Sequence, residues 1–520
     1  MLFKYLTKYI YIKLKIPLDM KRHHIFLAII FVLTLTFNTV YTLKADEFTG
    51  DQAYKILRDV EHIQEEGTPM YSDDLSFGGR NHIYVPFFHY LLAFFSFVLP
   101  ITFVVKIIPT ILISSIVLIV YKIAHKISNN RNVALFSAFM SGFIPVVTSQ
   151  TLNTVSSYSL MLPLFFLSVY FFIKIEDGKK YVVYFIITYL ISILTHPSTM
   201  LFLISAFVYM ALIFMENIAP SRKEKEVVLF SALFLVWAYF LMYKDILLQY
   251  GPEIIWQNIP ALMRAEYFSD FNILLGIVNI GLLPFLVGTY IVYQFFFIHK
   301  KKTNYFYISI VLTIIVALWL NVIELGVGLS FLSITLVLLF SYFYKNILLY
   351  IKKTKFEKHE IKMLFGFVAI FILTSVIPCF MQASQNVSIS FDDEEIAAME
   401  WIKLNTPKDS TIIASVHEGS FISYKTGRKT IVDTDFLAVS DANQRLEDVR
   451  KIYLTRFQTE AIPLLDKYDA DYILFSDRIR QYFGIDSIKY IEDERCFELQ
   501  YNERVRIYRV KCHLEVVRSE

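Results

Sequence analysis

His82-Ile-Tyr-Val-Pro86-Phe-Phe-His89-Tyr-Leu-Leu-Ala-Phe-Phe-Ser-Phe-Val-Leu-Pro100 is the stretch on which the topology turns. Residues 83–99 are nearly long and apolar enough to cross a bilayer, but the run holds Pro86 and His89 and stops at Pro100. Positive charge decides its reading, because cytoplasmic connectors are enriched in Lys and Arg. The chain begins with Lys4, Lys8, Lys13, Lys15, Lys21 and Arg22, which puts its start inside. If 83–99 lies along the outer interface, five basic connectors fall on that same side. They hold Lys122, Lys126 and Arg131; Lys174, Lys179 and Lys180; Arg222, Lys223 and Lys225; Lys300, Lys301 and Lys302; and Lys352, Lys353, Lys355 and Lys358. If 83–99 crosses, every one of them inverts. The stretch is therefore read as an interfacial or re-entrant helix.

Working outward, span-length apolar runs lie near 24–43, 102–121, 132–149, 157–174, 181–196, 198–216, 227–243, 272–298, 305–323, 328–350 and 363–382. Each approaches the length a helix needs to cross about 30 Å of hydrocarbon, which predicts about eleven spans. The composition agrees: 56% of the 520 residues are hydrophobic and 19% are charged, with the charges clustered between runs. The first run has no small-residue cleavage site after it and reads as a retained span. A net charge of +3 gives no footprint for nucleic acid, and Cys379, Cys496 and Cys512 form no zinc-type spacing. The expectation is a multi-pass protein of the cell membrane, N-terminus cytoplasmic, with the lipid bilayer as its first partner.

The outer side then holds the acidic loop 44–82, the loop 244–271 with Trp256 and Tyr267, and short polar turns at 149–156, 196–198 and 321–327. It also holds everything after about residue 384, where the composition changes. There, 392–405 reads as an amphipathic helix and 411–416, 430–432 and 472–475 as strands. Thr459–Tyr468 reads as a helix, and 497–501 and 505–510 as a hairpin. The chain divides into a membrane domain, 1–383, and an extracytoplasmic mixed α/β domain, 384–520. The hairpin sets Cys496 opposite Cys512 in a compartment that permits a disulfide.

Isolated charges at the membrane surface are costly and point to function. Asp51, in Asp51-Gln-Ala-Tyr54-Lys-Ile-Leu57-Arg58, suits a general base or metal ligand, or else the N-cap of a helix over 52–64. Arg80, after Gly78-Gly79, suits phosphate binding or an exposed turn. Lys106 meets a lipid phosphate or snorkels. His196-Pro197 caps the end of one span, and Glu324 stands alone between two apolar runs. Asp73 and Asp74 read as solvated, whereas Asp46 and Glu47, next to the first span, compete with Asp51 for a catalytic role.

Together these features resemble the GT-C superfamily of membrane glycosyltransferases, and within it the archaeal catalytic subunit of oligosaccharyltransferase. The resemblance covers most of the chain. Asp51, Tyr54, Leu57-Arg58 and Gly79-Arg80 are similar to the family's first outer loop. Residues 83–99 match its outer helix, and Lys106-Ile-Ile-Pro109 the opening of its second span. Glu324, in Asn321-Val-Ile-Glu324, sits where the family has a Glu in a Thr/Ser-x-x-Glu motif. Val416-His417-Glu418-Gly419, followed by Gly427-Arg428 and Asp433-Thr-Asp435, has the layout of the region around the WWDYG motif.

There are departures. Both tryptophans of WWDYG are missing, and the second outer loop, 149–156, carries no acidic pair. The resemblance implies transfer of a sugar or glycan from a polyprenyl phosphate or diphosphate donor to a protein or glycan acceptor outside. Asp51 would be catalytic, with Glu324 lining the pocket, and the two would hold Mg²⁺ or Mn²⁺ if a metal is used. Arg80 and Lys106 would stabilise the leaving phosphate. Tyr54, Arg58, His196, His417 and Glu418 would contact substrates. The alternatives are a full oligosaccharyltransferase acting on Asn, and a non-catalytic lipid or polysaccharide transporter; no inverted repeat supports the latter.

Overall fold

The computed structural model describes residues 18–268, 272–354 and 360–514. The basic residues Lys4, Lys8, Lys13, Lys15, Lys355 and Lys358 lie outside the described residues. Every span-length run falls on a helix or a bent helix pair. Six helical stretches are long and apolar enough to cross a membrane, among them Arg22–Lys44, Ile101–Ser128 and Leu325–Lys352. The last is buried along most of its length and forms the centre of the bundle. Tyr158–Ile173, Lys179–Ile193 and Thr199–Met215 are shorter apolar helices; the second packs on the first, and the third on Lys302–Trp319.

Two runs differ from straight spans. Residues 132–149 bend by 49° between Arg131–Ser141 and Pro145–Thr151. The run 272–298 turns through 114° between Ile273–Ile280 and Leu282–Phe297. The corner is Gly281, whose φ of 94° disfavours any residue with a Cβ, and whose Cβ would fall 2.0 Å from Ser375 Oγ.

The stretch that decided the topology forms the helix Phe87–Ser96, 10 residues long. At 1.5 Å per residue it reaches about 15 Å, half the hydrocarbon thickness. Phe88, Leu92 and Ala93 are buried beneath it, while Phe94, Phe97 and Val98 stay exposed. Its first N–H bonds to Leu194 O (3.0 Å), at the end of a span. It lies across that end and does not cross.

The C-terminal residues build a five-stranded sheet in the order β4-β3-β5-β7-β6. The strands are β3 Thr411–Ile413, β4 Lys429–Thr430, β5 Ala470–Phe475, β6 Phe497–Asn502 and β7 Arg506–Val510; β1 Ser72–Asp73 and β2 Arg80–Asn81 pair separately in the first outer loop. β3 runs parallel to β4 and β5, and the β6–β7 hairpin adds antiparallel to β5. The helix Asp393–Asn405 starts with a capping box between Asp392 and Glu395. Cys496 and Cys512 form a disulfide across the hairpin, Cα atoms 4.7 Å apart.

One apolar core fills the helical bundle. A second is shared: Tyr54 and Leu57 of the first outer loop, Phe88 of the short helix and Val104 at the start of Ile101–Ser128 belong to one cluster with Phe421 and Ile473 of the C-terminal sheet region. The outer segments and the C-terminal domain thus fold against each other, and the candidate site lies in that joint.

Candidate functional site

Asp51 is the first residue of the helix Asp51–Glu66, and Gly50 is its N-cap, so the expected N-cap role is not the observed one. The side chain turns instead to a different helix. Its Oδ1 accepts the main-chain N–H of Phe421 (2.9 Å), and Oδ2 accepts the Thr434 hydroxyl (3.1 Å). Phe421 lies in the first turn of the helix Gly419–Thr426, whose free N–H groups favour an anion. Burial, with a smaller push from Asp433, raises the Asp51 carboxyl to about 6; the N–H of Phe421 and the hydroxyls of Ser420 and Thr434 pull it back.

Arg80 does not face a substrate. Its Nε and Nη2 donate to Asp73 Oδ2 (3.1 and 2.8 Å), Nη1 and Nη2 to the two Asp433 oxygens (2.8 and 2.6 Å), and Nη1 also to Asp435 O (2.6 Å). A guanidinium has five N–H donors, and all are used. The expected phosphate contact is therefore corrected: Arg80 is a buried clasp between the first outer loop and 433–435. Gly78 and Gly79, with φ of 73° and 70°, turn the chain into it. Arg58 also pairs with Asp73 (2.6 Å) and not with a ligand, and Lys55 pairs with Asp435. Asp73 is buried, contrary to its reading as solvated.

Tyr54 is likewise a core residue. Fully buried, it packs edge-on against Phe48, Phe391 and Phe421, donates to Glu47 Oε2 (2.8 Å) and accepts from Phe48 N (3.2 Å). Glu47 is further held by Lys425. The Asp46 carboxylate is exposed and has no hydrogen bond among the described residues. Lys106 donates to the carbonyls of Ala45 and Asp46 (2.8 Å to the latter), leaving its third N–H available. Glu418 is buried, and its two oxygens accept the Ser415 and Ser476 hydroxyls; burial lifts it to about 7. It ties the segment after β3 to the segment after β5. His417 is half-buried, 3.3 Å from Glu266 and edge-on to Tyr482, with its pKa lowered by burial.

Glu324 is the N-cap residue of Leu325–Lys352 and makes no side-chain cap bond. Burial alone raises it to about 7. Its charge reaches the Tyr158 and Tyr267 phenols, and Tyr267 also feels Asp51 and Glu266. Tyr267 ends the short helix Ala261–Tyr267. His196 packs at a tilt against Tyr158, with ring centres 4.4 Å apart. Glu324 thus lies within electrostatic reach of Tyr158 and Tyr267, Asp51 within reach of Tyr267, and His196 against Tyr158, whereas Arg80, Arg58, Tyr54 and Glu418 belong to the scaffold.

The second outer loop contributes backbone. Asn153, at φ 60°, donates to Glu47 O (2.9 Å), and its carbonyl accepts Thr49 N (3.0 Å), so the loop aligns the segment that leads into Asp51. Sequence reasoning missed a further group: buried Asp59 with His82 (3.3 Å) and His89 (3.7 Å). Burial pushes Asp59 up, but His82, His89 and Lys55 outweigh it and leave the carboxyl lowered. The signal available was Lys55 and Asp59, one turn apart on a helix that ends before two histidines. Among the described residues no three His, Cys, Asp or Glu side chains are arranged to hold a metal ion. Asp51 and Glu324, the expected metal ligands, are therefore not joined by a third side chain of these types.

No protein-family model matches the chain, and no curated protein matches it by sequence. Solved structures do. The Archaeoglobus fulgidus oligosaccharyltransferase, tethered with an acceptor peptide containing the NVT sequon, superposes with a TM-score of 0.65 at 13% identity, over 87% of this chain and 70% of that one. ArnT from Cupriavidus metallidurans, bound to undecaprenyl phosphate, gives 0.56 at 8% identity over 93% and 97%. The arabinofuranosyltransferase AftD from Mycobacteria gives 0.56 at 10% identity over 93% and 40%. The fold is GT-C-like: a multi-pass helical membrane domain carrying a C-terminal α/β domain.

Proposed function

We propose that this protein is a membrane glycosyltransferase that moves a sugar or glycan from a polyprenyl phosphate or diphosphate donor to a protein or glycan acceptor at the outer face. The observation that carries the reading is the pair Asp51 and Glu324: two carboxyls raised toward neutrality by burial, both within electrostatic reach of Tyr267, at one end of the helical bundle. Groups lifted in this way are suited to proton transfer near neutral pH. The likeness to enzymes whose structures hold undecaprenyl phosphate or an acceptor peptide supports the substrate class.

In this mechanism Asp51 takes the proton of the acceptor nucleophile as it bonds to the anomeric carbon. The bond from that carbon to the phosphate oxygen breaks, and its electron pair leaves with the lipid phosphate. Hydrogen bonds from Phe421 N–H and Thr434 fix the Asp51 carboxylate while its remaining lone pairs face the acceptor. Lys106, with one uncommitted N–H, stabilises the departing phosphate. With Val416-His417-Glu418-Gly419 in place of WWDYG, and with Glu418 sealed between two serines, Asn-sequon recognition is not the favoured acceptor reading. The test is incubation of the purified protein with radiolabelled polyprenyl-phosphate sugars and an extract of surface glycans and proteins. Transfer that is lost in Asp51→Asn supports the reading.

A further inference from the structure

Asp59 lies further along the helix that Asp51 begins, and it is fully buried. A carboxylate taken out of water must be matched by an opposite charge or by hydrogen bonds. Its Oδ2 is 3.3 Å from His82 Nε2 and 3.7 Å from His89 Nε2, and both histidines are buried too. Among the described residues no Lys or Arg forms an ion pair with Asp59. His82 follows β2, the strand that holds Arg80, and His89 lies in the interfacial helix Phe87–Ser96. That helix packs on Asp51–Glu66. The cluster therefore joins the helix that carries Asp51 to the one that lies across the end of the bundle.

The other charged groups around these three are already committed. Lys55 pairs with Asp435, and Arg58 and Arg80 share Asp73. The Tyr84 ring stands edge-on to both imidazoles, with centres 4.9 Å from His82 and 4.4 Å from His89, and its hydroxyl accepts the Met70 N–H (3.3 Å). The Tyr90 hydroxyl donates to Gly67 O (3.3 Å). The counter-charge open to Asp59 is thus a proton on an imidazole. Burial lowers His89 to about 4, so His89 is neutral near pH 7, and the nearer ring, His82, carries that proton.

We propose that Asp59, His82 and His89 form a proton-bearing lock that seats the interfacial helix Phe87–Ser96 on the helix Asp51–Glu66, closed while His82 is protonated and released when His82 gives up its proton. A histidine that gains a carboxylate partner on folding contributes its full stabilisation below its unfolded pKa, ordinarily about 6.5, and loses it as pH rises through its folded value. The lock is closed in mild acid and opens toward alkaline pH. Its window lies above the one in which Asp51 changes charge.

The test is hydrogen–deuterium exchange of the full-length protein in nanodiscs at pH 6 and pH 9, corrected for intrinsic exchange rates. In the wild type, peptides covering Phe87–Ser96 lose protection at pH 9, by up to about tenfold per pH unit, the most that one released proton can give. A peptide from Leu325–Lys352 keeps its protection. Asp59→Asn removes the charge that needs the proton, so protection of Phe87–Ser96 is the same at both pH values. His82→Gln strands the Asp59 carboxylate and lowers protection at both, and adding Asp59→Asn to it restores protection. A role in packing alone would leave the double variant no better than His82→Gln. The proposal is overturned if wild-type protection is equal at pH 6 and pH 9, if Asp59→Asn keeps the wild-type pH dependence, or if the double variant fails to recover. Should His82→Gln not fold, the wild type and Asp59→Asn decide the matter between them. None of these readouts depends on sugar transfer.

Discussion

The carboxylate of Asp51 and the main-chain N–H of Phe421, 370 residues apart in sequence, meet at 2.9 Å. An acid from the first outer loop thereby completes the N-terminus of a helix in the C-terminal domain, so the two regions set each other's geometry. The approach depends on Gly419, where a Cβ would fall 2.1 Å from Val432 O and 2.7 Å from Asp433 Cβ. Gly419→Ala must move the helix start or the 432–433 segment. It should lower thermal stability by about 1–3 kcal/mol, the usual scale of overpacking, and reduce transfer by misplacing Asp51. A melting curve unchanged from wild type would show that the joint is looser than this geometry.

Arg80 gives the second prediction. Arg80→Ala leaves Asp73 and Asp433 buried with fewer partners, and breaking such a pair costs about 3–5 kcal/mol. Arg80→Lys should not rescue it, because an ammonium cannot reproduce five forked hydrogen bonds. Both variants should melt early, while whatever folded protein remains should keep wild-type KM for the lipid donor. Normal stability with a raised KM would return Arg80 to the phosphate site.

Asp51 also links stability to pH. Its folded pKa, about 6, lies above the ordinary 3.8. Between these values the folded state holds a proton that the unfolded chain has released, so this group's contribution to stability falls as pH rises from about 4 to about 6 and is flat above. Asp51→Asn removes that term and keeps an oxygen for Phe421 N–H. The variant should be at least as stable as wild type at pH 8, as read by thermal unfolding in detergent.

The hairpin disulfide is expected to matter less to the site than to the domain. Cys496→Ser with Cys512→Ser opens a loop of sequence separation 16. In the chain-entropy model such a closure is worth about 3 kcal/mol. Mass mapping of the unreduced protein should find this bridge and a free Cys379, which is buried in the helical bundle. Two free thiols at 496 and 512 would refute it.

Most of the architecture was legible because each piece has a local signal: apolar length for the helices, charge asymmetry for the placement of 83–99, alternation and an Asn-Glu turn for the β6–β7 hairpin. The corner at Gly281 was not, since a glycine within an apolar run reads as tolerated; only its φ and the approach of Ser375 reveal a turn. At the site, Asp51, Glu324 and His196 stood out because isolated polar groups at a membrane surface are conspicuous. Arg80 misled for the same reason. Its partners Asp433 and Asp435 lie across the fold, and a buried clasp and an anion-binding arginine look alike in sequence. The bond from Phe421 to Asp51 is made by a main-chain N–H, which no side-chain identity announces.

Orientation is an expectation drawn from the basic connectors, and it is directly measurable. Single cysteines placed at Asn129 and Arg450, both exposed, should react differently with an impermeant maleimide in intact cells. Position 450 should label, and position 129 only after lysis. The reverse pattern would invert the protein and put Asp51 and Glu324 on the cytoplasmic side.

The central claim is that Asp51 is the base for sugar transfer from a lipid-linked donor. Its most direct measurement is single-turnover transfer from purified polyprenyl-phosphate sugar to acceptor, for wild type, Asp51→Asn, Glu324→Gln and Asp46→Asn, between pH 5 and 8. The account predicts a rate that rises through about pH 6 as Asp51 ionises, falls by roughly 10²-fold or more in Asp51→Asn with folding intact, and is largely kept in Asp46→Asn. Near-normal transfer by Asp51→Asn, with collapse in Asp46→Asn, would contradict it and move the chemistry to the exposed acid beside Lys106.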